Sequence, residues 1–150
     1  MRHLFISHPL TDDPELRRKQ IDKICKNIYK LERNVLPISP IHTFQFIERE
    51  TPKLRQSIMR WCKSEIFYTH IHNIPYDGAD VRFYEYMDKG LSNGQCKEYE
   101  YCLENEINIE IVKVDEYGKQ RRFKVPRVRK YKLLSARWLL AMFRLRLFQV

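Results

Sequence analysis

The sequence lacks the features that mark zinc-binding, secreted and membrane-spanning proteins. Its four cysteines form no Cys-x-x-Cys pair, and no histidine or cysteine falls at zinc-finger spacing. The apolar opening, Leu4-Phe5-Ile6, is far shorter than the core of a secretory signal. No apolar run approaches the roughly 18 residues of a membrane span. These absences predict a cytoplasmic protein with reduced thiols, without a metal, another cofactor or a membrane segment.

Acidic residues are scarce in the last quarter of the chain. Residues 113–150 hold 12 Lys and Arg but 2 Asp and Glu, a net charge of +10, whereas residues 1–112 hold 16 and 17, a net charge of −1. We therefore expect one domain over residues 1–150, with a core at 1–112 and a basic extension at 113–150. Within that extension, residues 119–150 are a candidate contact for nucleic acid or an acidic surface, although a solvated terminal hairpin and helix would carry the same charge.

Apolar residues recur at strand and helix spacing along the chain. The pattern predicts strands at 4–7, 35–38, 65–69 and 107–112, helices at 14–32, 51–63 and 93–105, then a hairpin strand at 122–125 and a last helix at 135–147. Residues 70–91 are predicted to be an insertion that forms a lid or binding loop, with one helical turn near 79–88. This order predicts an α/β fold: a doubly wound, mainly parallel sheet with helices on both faces, and a C-terminal hairpin and helix.

The segment from Ser92 to Glu98 combines three groups that suit an anionic sugar ligand. The Ser92 side chain can cap the N-terminus of the following helix, and Gly94 lets a ligand approach the backbone without a Cβ in the way. Glu98 lies four residues after Gly94, so both lie on nearly the same helix face. An anion site with a carboxylate about one turn further in fits a phosphorylated sugar whose anomeric carbon faces a nucleophile. An ordinary capped helix with a solvated glutamate has the same spacing.

With these features the chain resembles the nucleoside 2-deoxyribosyltransferase superfamily, which includes nucleotide N-glycosidases and small phage and bacterial members. The resemblance covers about residues 3–112 and implies cleavage or transfer of the N-glycosidic bond of a nucleoside or nucleotide. Four features carry it: the strand end Phe5-Ile6-Ser7-His8-Pro9-Leu10, the segment Pro37-Ile38-Ser39-Pro40-Ile41-His42 followed by Phe44 and Phe46, the succession of a helix, Trp61-Cys62 and a strand, and the Ser-x-Gly-x-x-x-Glu motif of Ser92, Gly94 and Glu98.

The resemblance implies a role for two residues of that motif. Glu98 is expected to be the nucleophile that attacks the anomeric carbon, and Ser92 to help hold a 5′-phosphate. Loops after the strands are expected to build the rest of the site, since ligands of open α/β sheets bind at the carboxyl ends of the strands. The candidate substrate-binding residues are Ser7, His8, Pro9, His42, Phe44, Ser92, Asn93 and Gly94.

The acid that would protonate the leaving base is not fixed by the sequence. Members of the superfamily usually carry an aspartate shortly after the third strand, where this chain has His70 and His72. Acidic residues come only later, at Asp77, Asp80 and Asp88, and their spacing does not choose among them, although Asp80 and Asp88 are the preferred candidates. Hydrolysis, transfer and nucleotide binding without turnover therefore stay open. Because members commonly assemble so that neighbouring subunits close the site, the resemblance also implies a homo-oligomer.

A second resemblance, to TIR domains, is carried by Phe5-Ile6-Ser7-His8 and by the paired acids Asp12-Asp13 in the loop before a helix. Some TIR domains cleave the nicotinamide glycosidic bond of NAD with a glutamate on a helix, preceded by a serine six residues earlier. Ser92 and Glu98 have that spacing. The proline-rich segment 37–40 departs from the TIR pattern. Both resemblances imply N-glycosidic chemistry at Glu98, so an NAD glycohydrolase is an alternative to a nucleoside or nucleotide enzyme.

Overall fold

A five-stranded, mostly parallel sheet organises the computed structural model, which describes residues 1–10, 13–87 and 89–125. Its strands are β1 (Arg2–Ser7), β2 (Val35–Ile38), β3 (Val81–Tyr86), β4 (Ile109–Val114) and β5 (Gln120–Lys124). They lie in the order β2-β1-β3-β4-β5, with β5 antiparallel to β4 and the other neighbours parallel. The predicted α/β class with a mainly parallel sheet is confirmed, and β4 and β5 form the predicted hairpin.

Helices connect the strands within the described residues. They are α1 (Pro14–Leu31), the short α2 (Pro40–Thr43), α3 (Pro52–His72) and α4 (Asn93–Glu104). α1 and α3 begin alike, because the side chains of Asp13 and Thr51 each accept a hydrogen bond from a backbone N–H of the first turn and a proline follows directly. The structure confirms the predicted helices at 14–32 and 93–105 to within one residue at each end.

The sheet has an apolar core on each of its two faces, because side chains alternate along a strand. On one face Leu4 and Ile6 of β1 pack with Ile21, Ile24 and Ile28 of α1. On the other face β1, β3 and β4 pack against α3 and α4, through Phe5, Phe83, Ile111, Cys62, Ile66, Tyr99 and Cys102. Thus α1 covers one face of the sheet, while α3 and α4 cover the other.

The order of the strands reverses direction between β1 and β3. From β1 the chain passes through α1 to β2 on one side, and from β2 it returns through α3 to β3 on the other side of β1. Ser7, the last residue of β1, lies level with Phe83 of β3. In open α/β sheets a crevice for ligands opens where neighbouring connections leave in opposite directions. The carboxyl ends of β1 and β3 are therefore where this fold would hold a ligand.

The predicted strand at 65–69 is wrong, because α3 continues through it. Ile66 and Thr69 are buried, three residues apart, while Phe67 and Tyr68 between them are exposed. That is the spacing of a helix, whereas a strand would bury alternate residues. The aromatic and β-branched composition favours a strand locally, and the packing of α3 against the sheet overrides that preference.

The predicted insertion at 70–91 is also wrong, since it contains β3, a strand in the middle of the sheet. Two buried charged residues, Arg82 and Glu85, hide this strand in the sequence. The guanidinium of Arg82 donates from Nε to Glu110 at 2.8 Å, and from Nη1 and Nη2 to Glu32 at 2.8 and 3.1 Å. Such partners make a buried charge tolerable. They come from β4 and the end of α1, so the local pattern does not reveal them.

Among residues 1–125, β2 and β5 are the edge strands of the sheet, and both carry residues that hinder further strand pairing. Pro37 in β2 has no N–H to donate to a neighbouring strand. Every residue of β5 is exposed, and Arg121, Arg122 and Lys124 give it three positive charges. Charged side chains and prolines on edge strands are common protections against edge-to-edge association.

The predicted last helix at 135–147 lies outside the described residues, which end at residue 125. Within the described residues, no helix combines the length and the apolar character needed to cross a membrane.

Candidate functional site

Glu98, on the second turn of α4, is hydrogen-bonded to Ser7 at the carboxyl end of β1. The Ser7 Oγ donates to Glu98 Oε2 at 2.5 Å. Both side chains are buried, with residues Ser7 and Glu98 1% and 6% exposed. The carboxylate therefore lies at the switch point between β1 and β3, where a ligand of this fold is expected.

The surroundings of Glu98 give its carboxyl group a pKa of about 7, so that its charged and neutral forms are about equally populated near neutral pH. Burial raises the pKa of Glu98 to about 7, while hydrogen bonds from Ser7 and from the Cys62 thiol of α3 act to lower it. Burial also raises the pKa of the Cys62 thiol, so this group is a neutral donor at pH 7. Among the described residues Glu98 has no ion-pair partner. A carboxylate with this pKa can act as a nucleophile or exchange a proton near neutral pH.

The side chain of Gln95 connects the ends of β1 and β3 to the start of α4 by hydrogen bonds. Its Nε2 donates to the Ser7 carbonyl at 3.1 Å and to the Tyr84 carbonyl at 2.9 Å. Its Oε1 accepts from the Ser92 backbone N–H at 2.9 Å. Gln95 is not among the predicted site residues, although Ser-x-x-Gln is the signature of a capping box, in which the third helical residue reaches back to the cap.

Ser92, Asn93 and Gly94 form the start of α4 at the same edge of the sheet. The Ser92 Oγ accepts from the Gln95 N–H at 3.3 Å, which leaves the hydroxyl hydrogen as a donor that this cap does not use. Asn93 is exposed, and a Cβ added to Gly94 would have Met59 Cε as its neighbour at 3.6 Å, an ordinary contact. The N-terminus of an α-helix with these small residues can bind an anion such as a phosphate.

His8 follows Ser7 and lies on the opposite side of β1. Its Nδ1 is 2.8 Å from the Pro9 carbonyl oxygen, and its Nε2 is 2.7 Å from Tyr86 Oη at the end of β3. The guanidinium of Arg17, on the first turn of α1, lies 4.1 Å from the centre of the Tyr86 ring. His8 and Pro9 are predicted site residues, whereas Tyr86 and Arg17 are not. Nothing in their local pattern indicates that α1 and β3 bring them to the end of β1.

His42 and Phe44, both predicted to contact substrate, pack against helices. His42 Nε2 is 2.5 Å from Asp22 Oδ1 of α1. Phe44 lies edge-on to Trp61 of α3, with 5.0 Å between the ring centres. Among the described residues, no hydrogen bond or ring contact joins either side chain to the residues around Glu98. Their assignment to substrate therefore stays a prediction.

Asp80, predicted as a catalytic acid, lies at the amino ends of the parallel strands, directly before β3. It is 2% exposed, and its carboxylate accepts hydrogen bonds from His70 Nδ1 at 2.6 Å, Asn73 Nδ2 at 3.0 Å and the Asn108 N–H at 3.3 Å. By the register of β1 and β3, Asp80 lies three residues toward the amino end from the level of Ser7, and among the described residues no hydrogen bond joins it to the groups around Glu98, so its assignment as the catalytic acid is not supported. Asp88 lies outside the described residues.

The described part of the chain contains no group of three or more His, Cys, Asp and Glu side chains that could hold a metal ion. The site consists of a carboxylate, hydroxyls, an imidazole, a guanidinium and a helix N-terminus.

Comparisons of this chain with models of protein families, with curated proteins and with solved structures found no match.

Proposed function

We propose that this protein cleaves or transfers the N-glycosidic bond of a nucleoside or nucleotide, with Glu98 as the nucleophile. The observation that supports this most is the position of Glu98, a buried carboxylate without an ion-pair partner among the described residues. Its hydrogen bond from Ser7 fixes it at the carboxyl end of β1. Ligands of open α/β sheets bind at this end of the strands, which supports the assignment.

The proposed reaction uses the ionised form of Glu98. One carboxylate oxygen attacks the anomeric carbon, and the bond from that carbon to the base breaks with its electron pair going to the base nitrogen. The resulting glycosyl ester is resolved by water, which gives hydrolysis, or by a second base, which gives transfer. The N-terminus of α4 at Asn93 and Gly94 would hold a phosphate of the substrate.

A second candidate is nucleotide binding without turnover. The 6% exposure of Glu98 favours it, because a nucleophile has to reach the anomeric carbon. The position of Asp80 favours it too, since this candidate acid lies at the amino end of β3. In this candidate Glu98 helps to shape the site and the helix start binds the phosphate.

Release of free base separates these functions. The protein would be incubated with nucleosides, nucleoside 5′-phosphates, their 2′-deoxy forms and NAD, and the products would be separated by chromatography. We expect release from one substrate class, a loss of at least about 10³-fold in Glu98→Gln because the nucleophile is gone, and unchanged release in Glu104→Gln, which alters an exposed glutamate of the same helix. Release of nicotinamide from NAD, without release of base from the other compounds, would favour the NAD glycohydrolase.

Thermal unfolding with the same compounds tests the second candidate. A ligand at 100 times its Kd stabilises a protein by about 2.7 kcal/mol. Stabilisation without base release identifies a binding protein, and neither effect with any compound would overturn both candidates.

The same proposal includes three features that the sequence predicts: a cytoplasmic location, self-association, and contact of residues 119–150 with nucleic acid or an acidic surface. Sedimentation of the full chain tests the second. Electrophoretic retardation of single- and double-stranded oligonucleotides at rising salt tests the third, because phosphate contacts weaken steeply with salt.

A further inference from the structure

A row of four lysines lies along the outward face of α1. They are exposed and follow one another at intervals of four, three and four residues, at Lys19, Lys23, Lys26 and Lys30. At about 3.6 residues per turn, these intervals keep all four side chains within about 60° of one another around the helix axis. The isoleucines of α1 that pack on the sheet lie on the opposite side of the helix. We call these four residues the lysine row.

The lysine row departs from the usual charge pattern of a solvated helix. Opposite charges three or four residues apart stabilise a helix and like charges destabilise it, so exposed helices commonly mix the two signs at this spacing. In α1 every member of the lysine row has another lysine three or four residues away. The helix is therefore less stable with this row than with mixed charges, unless an anion lies against it.

Most of the lysine row has no acidic partner within the described residues. Lys19 Nζ pairs with Glu15 Oε1 at 3.0 Å. Asp22, the acidic residue beside the row, has its Oδ1 2.5 Å from His42 Nε2 of α2. No ion pair joins the other three lysines to an acidic side chain of the part of the chain that the structure describes. Three ammonium groups are thus available to an external anion.

The side chains of the lysine row border a shallow groove on the surface of α1. The volume of this groove is about 400 Å³, and Asp22 and Asn27 line it together with the four lysines. The row is about 16 Å long, since eleven residues separate its ends and each adds about 1.5 Å. A groove of this length and charge suits a ligand with several negative groups in a line.

We propose that the lysine row binds the phosphate backbone of a nucleic acid. Its cations follow one another about every 5 Å along a straight line, and a nucleic acid backbone has negative charges that repeat evenly in the same way. Lysines contact phosphates as point charges, and phosphate contacts carry no information on the base sequence. The binding is therefore independent of sequence. This surface is separate from residues 119–150, and the proposal does not depend on the N-glycosidic function.

An anionic membrane fits α1 less well than a nucleic acid. A helix that lies on a membrane inserts an apolar face next to its basic face. The apolar face of α1 packs on the sheet, where its isoleucines are at most 8% exposed. The exposed apolar residues of α1 lie near its two ends, at Leu16, Tyr29 and Leu31. The middle of the lysine row thus has charge to offer a membrane but no apolar side chain to insert.

Binding of fluorescent oligonucleotides to the full chain tests the proposal. Single-stranded DNA and RNA of about 20 nucleotides and the duplex of each would be titrated by fluorescence anisotropy at about 50 to 200 mM NaCl. Vesicles of phosphatidylcholine with and without phosphatidylserine form the membrane arm. Lys23→Gln/Lys30→Gln removes two charges of the row, and the control Lys53→Gln/Arg60→Gln removes two exposed charges of α3 at the same interval. Lys23→Arg/Lys30→Arg changes the side chains and keeps the charge.

We expect the glutamine variant of the row to bind oligonucleotides at least about tenfold more weakly at about 0.1 M salt. The slope of log K against log salt should fall by about 1.4 for single strands or about 1.8 for duplexes, because each phosphate contact contributes about 0.7 or 0.9. The arginine variant and the α3 control should keep the affinity and slope of the wild type. Oligonucleotides of different sequence should bind alike.

Urea unfolding of the same preparations checks the fold. Glutamine has nearly the helix propensity of lysine, so α1 should stay intact. If the double variant is less stable than the wild type, Lys26→Gln with Lys53→Gln as its control measures the effect of a single charge. The slope should then fall by about 0.7 or 0.9 in Lys26→Gln alone.

Three results would overturn the proposal. They are an unchanged salt slope in the glutamine variants of the row, an equal loss in the α3 controls, which would mean that net charge alone matters, and no binding of any oligonucleotide by the wild type. Binding of the wild type to vesicles with phosphatidylserine and not to oligonucleotides, lost in Lys23→Gln/Lys30→Gln, would assign the lysine row to a membrane instead.

Discussion

Ser7 Oγ donates a 2.5 Å hydrogen bond to Glu98 Oε2, and this bond joins the end of β1 to the second turn of α4. Burial favours the neutral carboxyl group of Glu98, while the bond from Ser7 favours the ionised one. The balance leaves a pKa of about 7. The charge of Glu98 therefore responds to pH, to loss of Ser7 and to substitution of Glu98 itself.

Because of Glu98, the free energy of unfolding should decrease as the pH rises. Because folding raises the pKa of Glu98 from its ordinary 4.5 to about 7, its stabilising contribution is present below pH 4.5 and is lost between pH 4.5 and 7. A difference of this size corresponds to about 3 kcal/mol. We expect Glu98→Gln to be more stable than the wild type at pH 8 and to lack this decline, as measured by urea unfolding at pH 5 to 8. Glu104→Gln, on an exposed face, should follow the wild type.

Loss of the Ser7 hydroxyl should shift the pH dependence of activity. The bond from Ser7 lowers the pKa of Glu98, so Ser7→Ala raises that pKa above about 7. Since the ionised carboxylate is the proposed nucleophile, we expect the rise of kcat/KM with pH to move to higher pH, while the rate at high pH recovers. Ser57→Ala, which removes an exposed hydroxyl bonded within α3, should leave the profile unchanged. An unshifted profile in Ser7→Ala would show that another group controls the activity.

Gly94→Ala should separate stability from phosphate binding. The added Cβ would lie 3.6 Å from Met59 Cε, which is ordinary contact, and Gly94 is inside a helix. Alanine should therefore stabilise the fold by about 0.5–1 kcal/mol. If a phosphate approaches the start of α4, the new methyl group should weaken binding of a nucleoside monophosphate about tenfold, or 1.4 kcal/mol. Calorimetry with the monophosphate and with its nucleoside tests this, and equal weakening of both would contradict it.

Asp80→Asn should reduce stability without reducing activity. Three donors converge on the buried Asp80 carboxylate, and removing a charged acceptor costs about 1.5–3 kcal/mol per hydrogen bond affected. The residue lies at the amino edge of the sheet, so kcat/KM for base release should stay at the wild-type value. Urea unfolding and base release on the same preparation measure both quantities. Glu104→Gln, at an exposed position of α4, should change neither, and a selective loss of kcat/KM in Asp80→Asn would restore its catalytic role.

The parts of the fold that the sequence predicts are those set by local patterns. α1 and α4 have cap residues and helical apolar spacing of their own, so their bounds are predicted to within one residue. β1 and β2 are short apolar runs bounded by turn residues. Glu98 belongs to this group, because its distance from Ser92 along one helix fixes where it lies.

The parts that the sequence does not reveal depend on residues distant in the chain. β3 carries Arg82 and Glu85, and only Glu32 and Glu110 show why a buried strand can hold Arg82. The pairing of His8 with a residue 78 positions away is of the same kind. Local composition also misled at 65–69, where tertiary packing of α3 outweighs strand propensity.

The composition of the outer strands limits how copies of this chain can meet. A strand placed beside β2 would receive no hydrogen bond from Pro37, which has no N–H. If the β5 strands of two copies paired, Arg121, Arg122 and Lys124 of one copy would lie close to the same positively charged residues of the other. Like charges placed opposite each other destabilise strand pairing. For the sheet that the described residues form, growth from copy to copy, the first step of a β-type aggregate, is therefore disfavoured at both outer strands.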